Sequence, residues 1–152
     1  MDASVDTVLR HPQEIVFAAC TDIENWRHWV SGVSRVEMHS PVPIGEQAEF
    51  TLYQSIFGQT HAVRYQITEL VPLQQFAARS IASGLQFDGG MRLEDHPDGT
   101  LVTNWMRATP KSKPGGVFDK LAVVLKGTMN QRMVQELRQL DKYLSRSAIP
   151  AA

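Results

Sequence analysis

His61 and Tyr65 form the pair in this sequence that is best suited to proton chemistry. They alternate with Ala62, Arg64 and Gln66 in a predicted strand, so they share a face with Val63 and Ile67. If that face is inward, an imidazole suited to proton transfer near neutral pH lies beside a phenol that can hold a carbonyl or phenol oxygen. The alternative is that His61 lies in water at the strand end and that Tyr65 is a core residue with its hydroxyl at the rim.

Arg79 and Arg107 are the other candidate catalytic groups, and both lie in predicted strands whose inward face is ambiguous. An inward arginine needs an anionic or carbonyl partner, because an unpaired buried charge is very costly. Such an arginine indicates an acidic ligand. Surface placement is the default, since most arginines are exposed. The four candidates therefore do not yet define a catalytic set.

Other kinds of site have little support in the sequence. The histidines show no pair at metal-ligand spacing, and Cys20 has no second cysteine to join it. Gly89-Gly90 and Gly115-Gly116 lack the remaining glycines and the lysine of a phosphate-binding loop. Cys20 lies on an apolar helical stripe, which favours a small buried hydrophobe over a nucleophile. We expect no metal, no nucleotide and no other cofactor.

The composition is that of an ordinary globular protein of one domain. The chain has 152 residues, 43% hydrophobic and 20% charged, with a net charge of -1. Nucleic-acid binding is not expected, because phosphate recognition needs clustered cations. No apolar run approaches about 18 residues, and residues 1–6 show neither a basic start nor an apolar core of a signal peptide. With its lone Cys20, the sequence predicts a cytoplasmic protein without integral membrane association; its oligomeric state is open.

The residues from Val117 to Arg146 have the spacing of one long amphipathic helix. Apolar residues recur there at steps of three or four: Phe118, Leu121, Leu125, Met129, Met133, Leu137, Leu140 and Leu144. A helix of about thirty residues is roughly 45 Å long, so it needs a long packing partner. The interleaved polar residues are predicted to form a solvated face: Lys120, Lys126, Arg132, Glu136, Arg138 and Lys142. Gly127 is a misfit in the pattern.

The order of the remaining elements predicts an α+β fold. Residues 3–10 read as a strand, and two short helices follow, the first from Pro12 to residue 20 and the second at 23–29. A strand-like stretch runs from Val33 to Met38, an antiparallel meander begins after the turn at 41–45, and the turn at 96–100 joins the last two strands. Six or seven strands are predicted in all. We expect one domain over residues 1–146 and a flexible tail at 147–152.

Several local motifs occur in the order typical of one superfamily. They are Pro12-x-x-x-Val16-Phe17, Asp22-Ile23-x-x-Trp26-x-x-Trp29, Val33-x-x-Val36, the Asp98-Gly99-Thr100 hairpin, and Leu137-x-x-Leu140-x-x-Tyr143-Leu144. Together they resemble the START and Bet v 1-like (SRPBCC) helix-grip superfamily, in particular its polyketide cyclase/dehydrase and lipid-transport branch. The resemblance covers nearly the whole chain, although each motif is mainly a folding signal.

The resemblance implies a curved antiparallel sheet wrapped around the long C-terminal helix, with an apolar cavity between them. It therefore implies a lipid-like, aromatic or polyketide-like ligand. The candidate ligand-binding residues are Trp26, Trp29, Phe50, Leu52, His61, Val63, Tyr65, Ile67, Phe76, Phe87, Met91, Leu93, Trp105, Leu121, Leu125, Met129 and Met133. Core packing alone is the alternative for the methionines and tryptophans.

Three functions are consistent with these expectations. The first is binding of an apolar or aromatic small molecule in the cavity. The second is a cyclase or dehydratase, a lyase-like enzyme without a metal or nucleotide, that uses His61, Tyr65 or an inward arginine for acid-base work. The third is a protein-interaction module that binds a partner through the helix or exposed tryptophans. Fold alone does not choose among them.

Overall fold

The computed structural model describes residues 2–41, 44–56, 58–81, 85–110 and 116–147, without the side chains at 56, 85, 110, 116–126 and 147. The strands are β1 (Asp2–Leu9), β2 (Val33–Met38), β3 (Glu49–Ile56), β4 (Gln59–Val71), β5 (Gln75–Ser80), β6 (Leu85–His96) and β7 (Gly99–Pro110). The helices are α1 (Gln13–Thr21), a 3₁₀ helix (Ile23–His28) and α2 (Gly116–Ser147). Within these ranges, no helix is long and apolar enough to cross a membrane.

The seven strands form one antiparallel sheet in the order β1-β7-β6-β5-β4-β3-β2. Strands β2 to β7 pair with their neighbours in sequence, as a meander does, and β1 closes the order by pairing with β7. The chain between β1 and β2 holds α1 and the 3₁₀ helix. The predicted α+β helix-grip architecture is therefore confirmed, with two short helices between the first two strands and seven strands in the curved sheet.

The side chains of the sheet alternate between an inner and an outer face. On β7, the buried residues Val102, Asn104 and Ala108 alternate with Thr103 and Arg107, which are not buried. The inner face extends from β7 onto β6, since Met91 of β6 lies opposite Asn104 and Leu93 lies opposite Val102. This alternation resolves the ambiguous parity of β7, because it puts Arg107 on the outer face.

Helix α2 packs an apolar stripe on the sheet and on α1. Met133, Leu137, Leu140 and Leu144 are buried at steps of three or four, and the three leucines belong to a core cluster with residues of β1, β6, β7 and α1. The stripe predicted for the second half of the helix is thus observed. Phe118, Leu121 and Leu125 lie outside the described side chains. The helix continues to Ser147, and the rest of the predicted tail, 148–152, lies outside the described residues.

The two short helices lie where the sequence predicts them. Pro12 precedes α1 instead of occupying its first turn, and its carbonyl accepts hydrogen bonds from the backbone N–H groups of Ile15 and Val16. The second helix is a 3₁₀ helix, and Trp29 follows its last residue. Trp26 packs against both core clusters of the protein. Trp26 therefore joins the two core clusters.

Candidate functional site

A cavity of about 120 Å³ lies between the inner face of the sheet, the 3₁₀ helix and α2. Most of its lining is apolar or aromatic. The described residues that border it are Cys20, Trp26, Trp29, Val30, Phe50, Leu52, Gln54, Tyr65, Phe76, Ala78, Phe87, Asp88, Gly89, Gly90, Met91, Asn104, Trp105, Met106 and Glu136. An apolar space with a few polar groups is the usual composition of a small-molecule site.

The aromatic side of the cavity is built around Trp26. Its ring meets Phe50 and Phe76 edge-on, each at 5.6 Å between centroids, and lies 6.4 Å from Trp29. Edge-to-face aromatic pairs are favourable beyond their area burial, by about 0.5–1.5 kcal/mol each. The indole N–H of Trp26 donates to the Cys20 carbonyl at 3.1 Å. These contacts from a helix and two strands hold the aromatic wall in one arrangement.

The polar end of the cavity is formed by Asn104 and Glu136. The Asn104 side-chain amide donates to Glu136 Oε2 at 3.3 Å. Arg132 Nε lies 3.6 Å from Glu136 Oε1, and the Glu136 side chain is only 15% exposed. Burial raises the pKa of Glu136, while Arg132 and the Asn104 hydrogen bond lower it by smaller amounts. A carboxyl group with a raised pKa therefore borders an apolar space.

The predicted solvated face of α2 is wrong at Arg132 and Glu136. Glu136 lies three residues after Met133 and four before Leu140, which are both buried, so helical periodicity puts it on the packed face. The sequence carried this signal. It was missed because the residue types, rather than their positions in the stripe, decided the assignment. Burial of the pair is tolerated because Arg132 offsets the Glu136 charge and Asn104 donates to it.

Tyr65 also borders the cavity. Its hydroxyl donates to Gln54 Oε1 at 2.9 Å, and its ring stacks on Phe50 at 5.5 Å. Burial raises the pKa of Tyr65 to about 12; Arg132 lowers this pKa and Glu136 raises it. Tyr65 is therefore a neutral phenol at ordinary pH, with its O–H engaged and its oxygen able to accept a further hydrogen bond.

The structure does not bring the other three catalytic candidates into this cavity. His61 pairs with Gln54 across the sheet but is exposed near the start of β4. Arg79 donates to Asp88 at 2.7 Å with a side chain 54% exposed. Arg107 donates to Asp2 at 3.2 Å with a side chain 59% exposed. Both arginines already have carboxylate partners, Asp2 at the surface and Asp88 at the cavity border, so they give no reason to expect an acidic ligand.

Apart from His61, which is exposed on β4, the predicted ligand-binding residues divide into four groups. Those that border the cavity are Trp26, Trp29, Phe50, Leu52, Tyr65, Phe76, Phe87, Met91 and Trp105. Ile67, Leu93 and Met133 are buried in the core without being among the described border residues. Val63 and Met129 are half-buried away from the border. Leu121 and Leu125 lie outside the described side chains.

Strand alternation also decides how Trp105 meets the cavity. It alternates with the inner residues Asn104 and Met106, so its side chain belongs to the outer face, where Gly90 is its partner across the strands. Its backbone carbonyl comes close to Gly89, 3.3 Å from the position of an added Cβ. The backbone of β7 at Trp105 therefore forms part of the cavity border.

Two buried polar groups complete the site. The Cys20 thiol donates to Met91 Sδ at 3.3 Å, and burial raises the pKa of Cys20 to about 12. A thiol with this pKa is a poor nucleophile, as its position on an apolar stripe indicates. The indole N–H of Trp29 has no hydrogen-bond partner among the described residues. A buried donor left without a partner costs about 1–3 kcal/mol.

The segment of residues 26–31, here called the cover segment, bridges the cavity and α2. Trp26, Trp29 and Val30 border the cavity. On its other side, Arg132 Nη2 donates to the Ser31 carbonyl. Ser31 Oγ lies 3.4 Å from Gln139 Oε1. The ring of His28 stacks on Tyr143 at 6.3 Å between centroids, so α2 fixes the position of the segment at three points.

The fold and the cavity together define a helix-grip protein, in which a curved sheet and a C-terminal helix enclose a site for a small molecule. The chain belongs to the family described as polyketide cyclase/dehydrase and lipid transport, whose family model matches residues 2–145. This description covers proteins that handle hydrophobic small molecules. The match confirms the resemblance that the local motifs indicate. Among curated protein sequences, none matches this chain.

Solved structures with the same fold share little sequence with this chain. TTHA0849 from Thermus thermophilus has a TM-score of 0.79 at 13% identity, with 97% of this chain and 99% of that chain covered. The Zhui aromatase/cyclase from Streptomyces sp. R1128 has a TM-score of 0.78 at 13% identity, covering 96% and 94%. A START superfamily protein from Mycobacterium smegmatis has a TM-score of 0.74 at 15% identity, covering 97% and 99%. At these identities the likeness shows the fold alone.

The described part of the chain contains no group of three or more His, Cys, Asp or Glu side chains that could hold a metal ion. The carboxyl of Glu136 has an amide and a guanidinium beside it instead of other ligands. Besides the thiol and the indoles, the polar side chains that the described residues bring to the cavity border are the carboxyl groups of Glu136 and Asp88, the amides of Asn104 and Gln54, and the phenol of Tyr65.

Proposed function

We propose that this protein binds a small aromatic molecule in the cavity between α2 and the inner face of the sheet. The observation that carries the proposal is the cavity itself, a partly open space of about 120 Å³ with an aromatic wall. A cavity of roughly 150 Å³ is enough for benzene, whereas drug-sized sites occupy about 300–1,000 Å³. The ligand that fits this space is accordingly one ring in size, and a long acyl chain or a polycyclic molecule needs a wider cavity.

Filling the cavity tests this proposal. Ala78 is buried on β5 and borders the space, so we expect Ala78→Leu to occupy it. Toluene or phenol should raise the melting temperature of the wild-type protein, because a ligand that binds only the folded state stabilises it. The rise should be absent in Ala78→Leu. Ala62→Leu, at an exposed position of β4, is the matched control and should respond like the wild type.

The same measurement can contradict the proposal. If no aromatic compound of this size raises the melting temperature of the wild type, or if Ala78→Leu responds as strongly as the wild type, the cavity is not the binding site. Calorimetric titration of the folded protein checks that a missing temperature shift reflects missing binding.

A second proposal is acid-base catalysis, and the cavity carboxyl favours it. Elimination of water from a β-hydroxy ketone needs a base to remove the α-proton and an acid to protonate the leaving hydroxyl, and one carboxyl group can do both in turn. Glu136, rather than His61, is suited to this work, because it borders the cavity and burial raises its pKa. As a carboxylate it would take the α-proton, and as the resulting acid it would pass that proton to the hydroxyl, which leaves as water. The Asn104 amide, which borders the cavity and has a second N–H to donate, would hold the carbonyl oxygen. The reaction would be of the cyclase or dehydratase kind, without a metal or nucleotide.

Turnover of a small β-hydroxy ketone, followed by NMR, tests this second proposal. The wild type should form the conjugated enone, and Glu136→Gln should lower the rate by about 10²-fold or more, the usual contribution of a general acid or base. Glu94→Gln, an exposed carboxyl on β6, is the control. Binding without enone formation would leave the protein as a carrier.

The third candidate function, a protein-interaction module, has less support. Trp26 and Trp29, on which it relied, both border the internal cavity, and Trp29 is only 3% exposed. We further propose that residues 1–146 act as one domain. A reducing, cytoplasmic location is proposed because Cys20 is a buried free thiol.

A further inference from the structure

We propose that the polar end of the cavity, formed by Glu136 and Asn104, is a subsite for a neutral hydroxyl group on an aromatic ring, so that the ligand is a phenol or a similar hydroxyarene. This inference deepens the proposed function and rests on it. It is carried by the position of the two side chains at one end of an otherwise apolar space and by the charges that surround them.

Glu136 and Asn104 each retain hydrogen-bonding capacity beyond the bond that joins them. The Asn104 amide uses one hydrogen on Glu136 Oε2, and its nitrogen carries a second. Each Glu136 oxygen has two lone pairs. Both residues border the cavity. A ligand hydroxyl at this end can therefore donate to the carboxyl group and accept from the amide at the same time.

The charges around the subsite favour a neutral ligand. Arg132 Nε lies 3.6 Å from Glu136 Oε1 and offsets the charge of the ionised carboxyl, so with Glu136 ionised the pair leaves no net charge for a ligand to neutralise. A ligand carboxylate would face the Glu136 carboxyl, and a ligand ammonium would approach the Arg132 guanidinium. Either ion would also lose its hydration among aromatic walls, which costs far more than burial of a neutral hydroxyl.

A hydroxyl group also suits both protonation states of Glu136. An ionised carboxylate only accepts hydrogen bonds, whereas a protonated one donates as well. A hydroxyl can act as donor in the first case and as acceptor in the second. A ketone oxygen, which only accepts, lacks this versatility. Tyr65, which also borders the cavity, donates to Gln54, and this leaves the Tyr65 oxygen as an acceptor.

The test compares phenol with toluene, which have nearly the same shape and differ in a hydroxyl against a methyl group. Affinities are measured by calorimetric titration for the wild type, Glu136→Leu, Glu136→Gln and the exposed control Glu94→Gln. The ratio of phenol affinity to toluene affinity is the readout, because comparing ratios between variants cancels the different hydration of the two compounds. Benzoate and benzylammonium serve as the charged probes.

We expect the phenol-to-toluene ratio to fall about tenfold or more from the wild type to Glu136→Leu, as for loss of a hydrogen bond to a buried charged or polar group. Glu136→Gln keeps an acceptor and should show a smaller fall, about threefold, and it carries the test if Glu136→Leu does not fold. Glu94→Gln should leave the ratio unchanged. Both charged probes should bind more weakly than phenol.

The outcomes separate this inference from the proposed function. Unchanged ratios in both Glu136 variants, with toluene still bound, would overturn the hydroxyl subsite and leave the cavity as a binding site. A charged probe that binds more tightly than phenol would also overturn it. If neither toluene nor phenol binds the wild type, the proposed function fails and the subsite fails with it.

Discussion

Glu136 is the residue that differs most from its expected role. It stands among charged residues in the sequence, yet the structure gives it a place in the apolar stripe of α2, with Asn104 and Arg132 as partners. Spacing predicts its direction, since a residue three after Met133 and four before Leu140 faces the same way. Spacing could not supply Asn104, because that contact joins residues 32 apart in the chain. Such a pairing depends on the register of β7 against the helix.

The raised pKa of Glu136 makes a prediction about stability and pH. A carboxyl with a higher pKa in the folded state than in the unfolded state binds its proton more tightly when folded. Its stabilising contribution is therefore complete below the unfolded pKa, near 4.5, and is lost as the pH rises through the folded pKa. The loss is about 1.4 kcal/mol for each unit between the two pKa values. Arg132 and Asn104 reduce the shift, and Tyr65 is neutral over this range.

Glu136→Gln removes this titration with little change in shape. We expect the free energy of unfolding of the wild type to fall relative to this variant as the pH rises from about 4 toward neutrality. Urea denaturation at a series of pH values measures the difference. The exposed Glu94→Gln should follow the wild type at every pH. Parallel curves for the wild type and Glu136→Gln would mean that the folded and unfolded pKa values of Glu136 are the same.

At the scale of elements, the sequence was most informative where a local signal acts alone. The period of α2, the alternation in β4 and the turn at 96–100 all predicted elements that the structure contains. The inward faces of β5 and β7 were harder to predict, because apolar and polar residue types do not alternate cleanly in either strand. In β5, the neighbouring residues Ala77 and Ala78 are both buried. Pairing with β6 resolves β7. The inward face of β7 is fixed by pairing with a neighbouring strand, so it cannot be predicted from the β7 sequence alone.

The surroundings of Gly90 and Gly127 predict that a glycine-to-alanine substitution has opposite effects on stability at the two positions. A Cβ at Gly90 would lie 2.0 Å from the Phe76 carbonyl oxygen, whereas a Cβ at Gly127 meets no described atom within 4 Å. Gly90→Ala should therefore destabilise the protein by several kcal/mol, since the backbones of β5 and β6 must separate. Gly127→Ala should stabilise it by up to about 1 kcal/mol through helix propensity.

Chemical denaturation of the two variants checks these signs. Gly127 is exposed on α2, and no described atom lies close enough to require a glycine at this position. A loss of stability in Gly127→Ala would mean that the helix needs a glycine there for another reason. A neutral Gly90→Ala would contradict the close approach of the two strands.

At the scale of the whole molecule, the family match and the fold agree with the order of elements along the chain. The family motifs predicted the cavity walls better than its polar end. Aromatic and apolar residues serve both folding and binding, so a resemblance that rests on folding motifs also predicts residues of the cavity wall. The local motifs that carry the resemblance contain none of Glu136, Asn104 and Gln54. We propose that these polar side chains decide which molecule this cavity binds.

The connection between the cover segment and α2 gives a prediction about motion. Arg132 donates to the Ser31 carbonyl while its Nε faces Glu136, so one guanidinium touches both the cavity carboxyl and the segment above the cavity. Arg132→Met should weaken this attachment. We expect amide hydrogen exchange in residues 26–31 to become about tenfold faster or more, and ligand dissociation to become faster with it, because local opening precedes exchange.

Arg138→Met is the matched control, because Arg138 lies on the same helix but is exposed. Exchange in the β6–β7 hairpin should remain unchanged in both variants, since that pairing does not involve α2. Faster exchange throughout the protein would indicate a general loss of stability instead of a released segment. Unchanged exchange at residues 26–31 would mean that Gln139 and Tyr143, which also contact the segment, hold it without Arg132.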